Sequence, residues 1–133
     1  MRVVVAGFKG LHELQRALKN AGNDAPQLLS QALYEEAQVA FSESQILTPI
    51  KTGALRGSGT VHTPVRQYNR VSVAITYGGP AAPYALWVHE IGRYKHYPPT
   101  RSKYLQIPVE QRKEFLTRNL ATRINHMMRR NFR

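Results

Sequence analysis

Apolar residues recur at helical spacing in two segments near the start of the chain. The first segment covers residues 11–21 and is followed by Gly22, a residue type that commonly ends helices. The second covers residues 24–47, and Asp24 stands where an N-cap residue is expected. The pattern predicts a short helix and then a long one, after a short strand at residues 3–6. Three glutamates are expected mostly along the edges of the long helix's apolar stripe: Glu35, Glu36 and Glu43.

Alternating apolar and polar residues in the middle of the chain are typical of half-buried strands. Residues 60–66 alternate, and residues 71–77 alternate more strongly. The residues between them, Gln67 to Arg70, would join the two strands into an antiparallel hairpin. Pro64 places the first strand at a sheet edge or at a bulge, because proline has no N–H for a ladder hydrogen bond. Another short strand is expected at residues 103–107.

A narrow apolar stripe predicts a C-terminal helix over residues 108–130, with Pro108 at its first position. The stripe consists of Val109, Leu116, Leu120, Ile124 and Met127. Together these patterns predict a single α+β domain, with a small antiparallel sheet between helical parts. Its segments are the N-terminal strand and helix (1–22), the long helix (24–47), the sheet and loops (59–107) and the C-terminal helix (108–130).

The composition is that of one domain with an ordinary hydrophobic core, since the chain has 133 residues. There is no cysteine, which excludes disulfides and thiolate metal sites. The apolar stretch at the start is too short for a signal peptide, and no apolar run approaches the length of a membrane span. We therefore expect an unexported protein with no membrane partner.

Positive charge is concentrated in the second part of the sequence. Residues 1–50 contain four Lys or Arg and five Asp or Glu, whereas residues 51–133 contain fifteen and three. This asymmetry, within a net charge of +11, predicts one electropositive face. Nucleic acid or an acidic protein neighbour would complement such a face, and charge alone does not choose between them.

The junction between the long helix and the first predicted strand reads Pro-Ile-Lys-Thr-Gly-Ala-Leu-Arg-Gly-Ser, residues 49–58. Pro49 disfavours helical geometry at the preceding residue, so the long helix should stop there. Gly53 can adopt a positive φ, and Leu55 is expected to fill the core. The glycines do not form a phosphate-binding loop, because the Gly-Lys-Ser/Thr ending is missing and a strand should follow. Two interpretations stay open: a purely structural corner, or an interface in which Arg56 pairs with a neighbour's carboxylate.

Three motifs in a fixed order resemble those of a known family. The first is Pro-x-x-Thr-Gly-x-Leu-Arg-x-Ser at the junction, the second is Tyr-Ala-x-x-Val-x-Glu from Tyr84 to Glu90, and the third is the apolar segment from Lys103 to Pro108. Over residues 25–130 this order is similar to the small neck and tail-completion proteins of tailed bacteriophages, often called minor capsid or tail-component proteins. The chain departs from the family where Ile91 separates Glu90 from Gly92, and in its proline-rich loop at residues 93–102.

The resemblance implies a non-enzymatic virion protein that forms a ring where the head connector meets the tail. Six copies are the expected number and twelve the alternative, with the adjoining connector and tail proteins as partners. The resemblance also allows non-specific contact with packaged DNA, and it implies no cofactor and no metal. Assembly would take place in the host cytoplasm. The candidate subunit and partner contacts are Thr52, Gly53, Leu55, Arg56, Ser58, Tyr84, Trp87, Glu90, Arg93, Lys95, Arg101 and Lys103.

Other functions are less well supported by the sequence. His89 and Glu90 lack the second histidine of a His-Glu-x-x-His zinc helix, and no serine stands in the context of an activated nucleophile. A small basic ribonuclease toxin could act through Arg, Lys, His and Tyr, but the long helix with acidic edges suits that class poorly. A nucleic-acid-binding module remains the main alternative, because aromatic and basic residues are interleaved between Tyr94 and Tyr104.

Overall fold

The computed structural model describes residues 2–4, 11–48, 53–67, 70–78, 89, 104–113 and 115–131. Helices dominate, and the strands form a small antiparallel β region, so the predicted α+β class is confirmed. The described elements are β1 (Arg2–Val4), α1 (Leu11–Ala21), α2 (Ala25–Leu47), α3 (Ala54–Gly57), β2 (Thr60–Val61), β3 (Val65–Gln67), β4 (Arg70–Ser72), β5 (Ala74–Thr76), α4 (Gln106–Lys113) and α5 (Leu116–Asn131).

The two N-terminal helices follow the sequence pattern closely, but the junction between them does not. Gly22 has a positive φ of 58° and opens a 3₁₀ turn over Gly22–Asp24 that leads directly into α2. Asp24 therefore has helical backbone angles, and its side chain makes no capping hydrogen bond. Asp24 is the N-cap residue by position, as predicted, but its side chain does not cap the helix. Side-chain capping needs an extended backbone at this residue, which a continuous 3₁₀ turn does not provide.

The far end of α2 agrees with the prediction from Pro49. Thr48 has left the helix, with φ −74° and ψ 128°, while its N–H still bonds to the Ser44 carbonyl at 2.9 Å. Its hydroxyl donates to the same carbonyl at 2.7 Å, and the residue is fully buried. The last turn of α2 is therefore closed by backbone and side chain together.

The predicted hairpin is present, but a bulge divides it. β5 lies between β1 and β2 in one antiparallel sheet, while β3 and β4 form a separate two-stranded sheet. Val61 pairs with Ile75 and Val65 with Ser72, so three residues on the first strand lie opposite two on the second. The extra residue is one of residues 62–64, a segment that ends with Pro64. It changes the alternation of faces, and Val65 consequently is 48% exposed.

The C-terminal region differs from the prediction in two respects. Tyr104 and Leu105 form a turn, and α4 already begins at Gln106, so the strand expected at residues 103–107 is wrong over its described part. Both residues are fully buried, which does not suit a strand with one solvent-facing side. Pro108 is the third residue of α4, not the first as predicted, because the helix begins two residues earlier. It still lies in the first turn, where helix N–H groups have no intrahelical partner.

The single predicted C-terminal helix is two helices. α4 ends at Lys113 and α5 begins at Leu116, with the Phe115 N–H bonded to the Arg112 carbonyl at 3.1 Å. Phe115 is 51% exposed at this break, whereas Leu116 is buried. The predicted apolar stripe is confirmed: Val109, Leu116, Leu120, Ile124 and Met127 are all buried.

The hydrophobic core joins the helices to one face of the sheet. α5 packs against α1 and α2, and the central strand β5 contributes Ile75, which is completely buried. Val73 directly precedes that strand in the chain and Tyr77 directly follows it, and both are also buried. Leu55, from the corner after α2, joins the same cluster. The core therefore fixes the corner relative to both the long helix and the sheet.

Candidate interface site at the helix-to-sheet corner

Four of the candidate contact residues predicted from the sequence lie in the described structure, and all four belong to the corner after α2. They are Gly53, Leu55, Arg56 and Ser58. The other eight lie outside the described residues: Thr52, Tyr84, Trp87, Glu90, Arg93, Lys95, Arg101 and Lys103.

The backbone of the corner has the conformation that its sequence predicts. Gly53 adopts φ 78° and ψ −13°, in the left-handed region that favours glycine. Leu55 is only 4% exposed and fills the core, as expected. One expectation is corrected: a single helical turn, α3, follows Gly53 before the chain enters β2. Four residues cannot form more than one turn, so the segment remains a corner.

Arg56 connects the corner to the end of α2. Its guanidinium Nη2 donates to the Thr48 carbonyl at 2.9 Å, and its own carbonyl accepts from Gln45 Nε2 at 3.0 Å. The side chain is half-buried. The structural interpretation of Arg56 thus has direct support, and the exposed part of the residue remains available to a neighbour.

Ser58 connects the corner to the sheet. Its hydroxyl donates to the Leu55 carbonyl at 2.6 Å and accepts from the Gly78 N–H, just beyond β5, at 2.9 Å. Next to it, Gly59 leaves no room for a side chain, because an added Cβ would lie 2.6 Å from Phe41 and 2.7 Å from Tyr77. The chain therefore passes directly against the aromatic rings.

Tyr77 is the centre of the hydrogen bonds beneath the corner. Its phenolic oxygen lies 2.9 Å from the Ser44 hydroxyl and accepts from Gln45 Nε2, also at 2.9 Å. Thr48 Oγ1 is 3.4 Å away. These groups are neutral, and they come from the last turns of α2 and the end of the sheet. They hold the two elements at a fixed angle, a feature that the sequence analysis did not anticipate.

The aromatic packing continues from Tyr77 to a buried histidine. Tyr77 meets Tyr104 edge to face at 5.1 Å, and Tyr104 meets His89 in the same way at 4.9 Å. His89 Nε2 accepts the N–H of Gln106, the first residue of α4, at 3.2 Å. His89 is only 2% exposed. Within the described part of the chain, no three His, Asp or Glu residues are grouped as metal ligands would be.

A cluster of charged residues joins α2 to the C-terminal helices. Glu36 lies at its centre with a side chain only 2% exposed. Its carboxylate accepts from Arg123 Nε at 2.7 Å, from Arg112 Nη2 at 3.1 Å and from Asn119 Nδ2 at 3.3 Å. The sequence analysis expected Glu36 mostly at the edge of the helix's apolar stripe. It did not identify the partners of Glu36, because they lie about eighty positions away along the chain. In the sequence, only the positions of Arg112 and Arg123 beside the C-terminal apolar stripe could have indicated these contacts.

Two outer ion pairs complete this cluster. Arg123 Nη1 bonds to Glu35 at 3.0 Å, and Arg112 Nη1 bonds to Glu43 at 3.2 Å. Burial disfavours the charged form of Arg123, but its bonds to Glu36 and Glu35 outweigh this effect and raise the pKa of Arg123. A raised arginine pKa adds stability that is complete at neutral pH and lost only in strongly alkaline solution. A groove of 520 Å³ lies along these residues. The two most buried cations that line the groove, Arg112 and Arg123, already bind carboxylates. The cluster therefore serves to join helices.

Comparisons with protein families, with curated proteins and with solved structures gave no match for this chain. None of the helices in the described residues is long and apolar enough to cross a membrane.

Proposed function

We propose that this protein is a structural component of a tailed-phage virion, forming a ring in the neck that joins the head connector to the tail. The observation that carries the proposal is the corner between α2 and β2. There the residues of the Pro-x-x-Thr-Gly-x-Leu-Arg-x-Ser motif have separate physical tasks: Gly53 supplies the left-handed turn, Leu55 anchors the core, and Arg56 bridges to the end of α2. The family resemblance and the local geometry thus concern the same residues.

The construction of the domain supports a scaffold role. The corner is tied to α2 by Arg56 and to the sheet by Ser58, while the cluster around Glu36 ties α2 to the C-terminal helices. These contacts join segments that are far apart in the sequence. A subunit that must transmit force or hold position in a ring needs such long-range connections, because a heterologous interface closes only when its two faces keep a fixed relative orientation.

Net charge constrains the partners of such a ring. Each chain carries +11, so six copies would carry roughly +66, and that repulsion must be offset by anions or acidic neighbours. Acidic surfaces of the connector or tail proteins would supply the offset along a rim, and packaged DNA would supply it along a channel. We favour the rim, because a channel that held DNA strongly would hinder ejection.

Electron microscopy of the purified protein, alone and on its neck partner, tests the proposal. We expect closed rings of six or twelve copies, and mass photometry should show a discrete multiple of the 15.1 kDa chain. Both samples are needed to distinguish a ring that closes by itself from one that closes only on the partner. A protein that stays monomeric even within assembled particles would contradict the proposal, as would sequence-specific nucleic-acid binding by the free chain.

A further inference from the structure

The small hairpin formed by β3 and β4 extends the β region beyond the main sheet. The bulge at residues 62–64 separates it from β2, and in the described structure it forms a sheet of its own. Its outer strand, Val65–Gln67, pairs with β4 alone among the described strands, and all three of its residues are exposed. A strand at a sheet edge has unpaired backbone N–H and C=O groups that can accept another strand.

The two faces of the hairpin differ in character. Arg66 lies opposite Val71 and shares its face, and Val71 packs partly against the core. Val65 lies on the other face and is 48% exposed. An incoming strand beside β3 would therefore meet an apolar side chain on one face and a cation on the other. The complementary sequence alternates apolar and acidic residues.

The charge of the hairpin has no acidic counterpart among the described residues. Arg66 and Arg70 are exposed, and neither makes an ion pair with a described residue. The described carboxylates, apart from Asp24, are already held by other side chains. None of the five described strands contains an acidic residue. A second copy of this chain consequently offers no acidic strand among its described residues.

We propose that the β3–β4 hairpin is a docking site for an acidic, extended segment of a different protein. The segment adds as a strand to the edge of β3, with a carboxylate facing Arg66 and apolar residues on the face of Val65. Arg70, which pairs with Gln67 on the far side of β3, adds to the positive potential of this edge. Backbone hydrogen bonds supply affinity, and the alternating side chains supply specificity. The inference rests on the hairpin and holds whether or not the protein belongs to a virion.

A protein strand suits this surface better than nucleic acid does. The two arginines can neutralise about two phosphates, whereas proteins that hold duplex DNA firmly contact roughly six to ten. The exposed Val65 and the open strand edge also have no use in binding a phosphate backbone, but both serve an added strand.

The direct test measures binding of a fluorescent peptide of alternating valine and glutamate to the full-length protein, by fluorescence anisotropy at low salt. We expect the double variant Arg66→Glu/Arg70→Glu to weaken binding by about tenfold or more, since the cross-strand pair at Arg66 becomes repulsive and Arg70→Glu reverses the charge behind it. The same double variant should gain affinity for a valine–lysine peptide, which shows that it is folded. Arg16→Glu, on the exposed face of α1, is the matched control and should change little.

Two further measurements separate strand addition from simple charge attraction. A glutamate peptide with proline at alternate positions should bind much more weakly, because proline cannot donate to the new ladder. Hydrogen exchange should show protection of amides in β3 when the valine–glutamate peptide is bound. The proposal is wrong if the proline peptide binds equally well, if β3 gains no protection, or if the arginine variants leave peptide binding unchanged. Arginine-dependent binding of duplex DNA that exceeds peptide binding, or arginine-dependent self-association, would also overturn it.

Discussion

The corner after α2 and the cluster around Glu36 both hold α2 to another part of the molecule, but by different means. The corner uses neutral hydroxyl and amide groups around Tyr77, packed against aromatic rings. The cluster uses a buried carboxylate with two arginines and an asparagine. The first depends on shape and the second on charge balance, so they should respond differently to substitution.

The difference follows from the cost of burying each kind of group. A buried neutral hydroxyl needs one or two hydrogen bonds, and its loss leaves a modest penalty. A buried charge needs an opposite charge as well, and removing one partner leaves the others uncompensated. The cluster should therefore be the more sensitive of the two regions to a single isosteric change, while the corner should be more sensitive to added volume.

The largest effect is expected for Glu36→Gln, which keeps the shape of the side chain and removes its charge. Arg112 and Arg123 would then lose their central partner, and among the described residues each would retain one outer glutamate. We expect a loss of about 2–4 kcal/mol in the free energy of unfolding, reduced from the fully buried case because both arginines are partly exposed. Urea denaturation measures it directly.

Glu43→Gln is the matched control for this change. Glu43 is 41% exposed and bonds only to Arg112 among the described residues, so its loss should cost less than about 1 kcal/mol. Equal losses for the two variants would show that the buried position of Glu36 is unimportant, and the contrast between the regions would then fail.

The corner should respond most strongly to Gly59→Ala. The new methyl group would lie within 2.8 Å of side-chain atoms of Phe41, Tyr77 and Gln45, so at least one of them must move. We expect a loss of about 1–3 kcal/mol, as for other overpacked sites. Thermal unfolding by circular dichroism is sufficient to detect it.

Gly57→Ala provides the control, because an added Cβ at Gly57 meets nothing within 4 Å. Gly57 ends the single turn of α3, where alanine should be neutral or stabilise by up to about 1 kcal/mol. If Gly59→Ala were as mild as Gly57→Ala, the rings beneath the corner would have room to shift, and the corner would not be rigid.

The sequence predicted these two regions unequally, for a physical reason. Pro49 and Gly53 act on the backbone within one or two residues, so their effects could be read locally and proved correct at Thr48 and Gly53. The contacts of Glu36 join residues about eighty positions apart, and periodicity places a residue on a helix face without naming what packs there. The bulge at Pro64 was one of two expected outcomes, but its consequence for Val65 required the observed register.

Gly53→Val examines the backbone of the corner apart from its packing. Apart from the adjacent residues, no described atom lies within 4 Å of an added Cβ at this position, so the expected cost arises from the φ of 78°. A β-branched residue in that region should destabilise the fold by about 1–2 kcal/mol. Gly53→Asn should cost less, because asparagine tolerates left-handed geometry. Equal unfolding temperatures for the two variants would mean that the turn adapts to its side chain.

The smallest effect on stability, and the most informative for function, is expected for Arg56→Ala. The variant loses the bond from Nη2 to the Thr48 carbonyl, but it also removes Nε, which is buried without a hydrogen-bond partner among the described residues. These effects partly cancel, so we expect a loss of about 1 kcal/mol or less. Arg123→Ala should cost clearly more, because it leaves Glu36 with fewer cationic partners.

If Arg56 also contacts a neighbouring subunit, its variant should impair ring closure far more than its small loss of stability explains, as measured by mass photometry with the neck partner. Normal assembly of a clearly destabilised Arg56→Ala protein would assign this arginine to the corner alone.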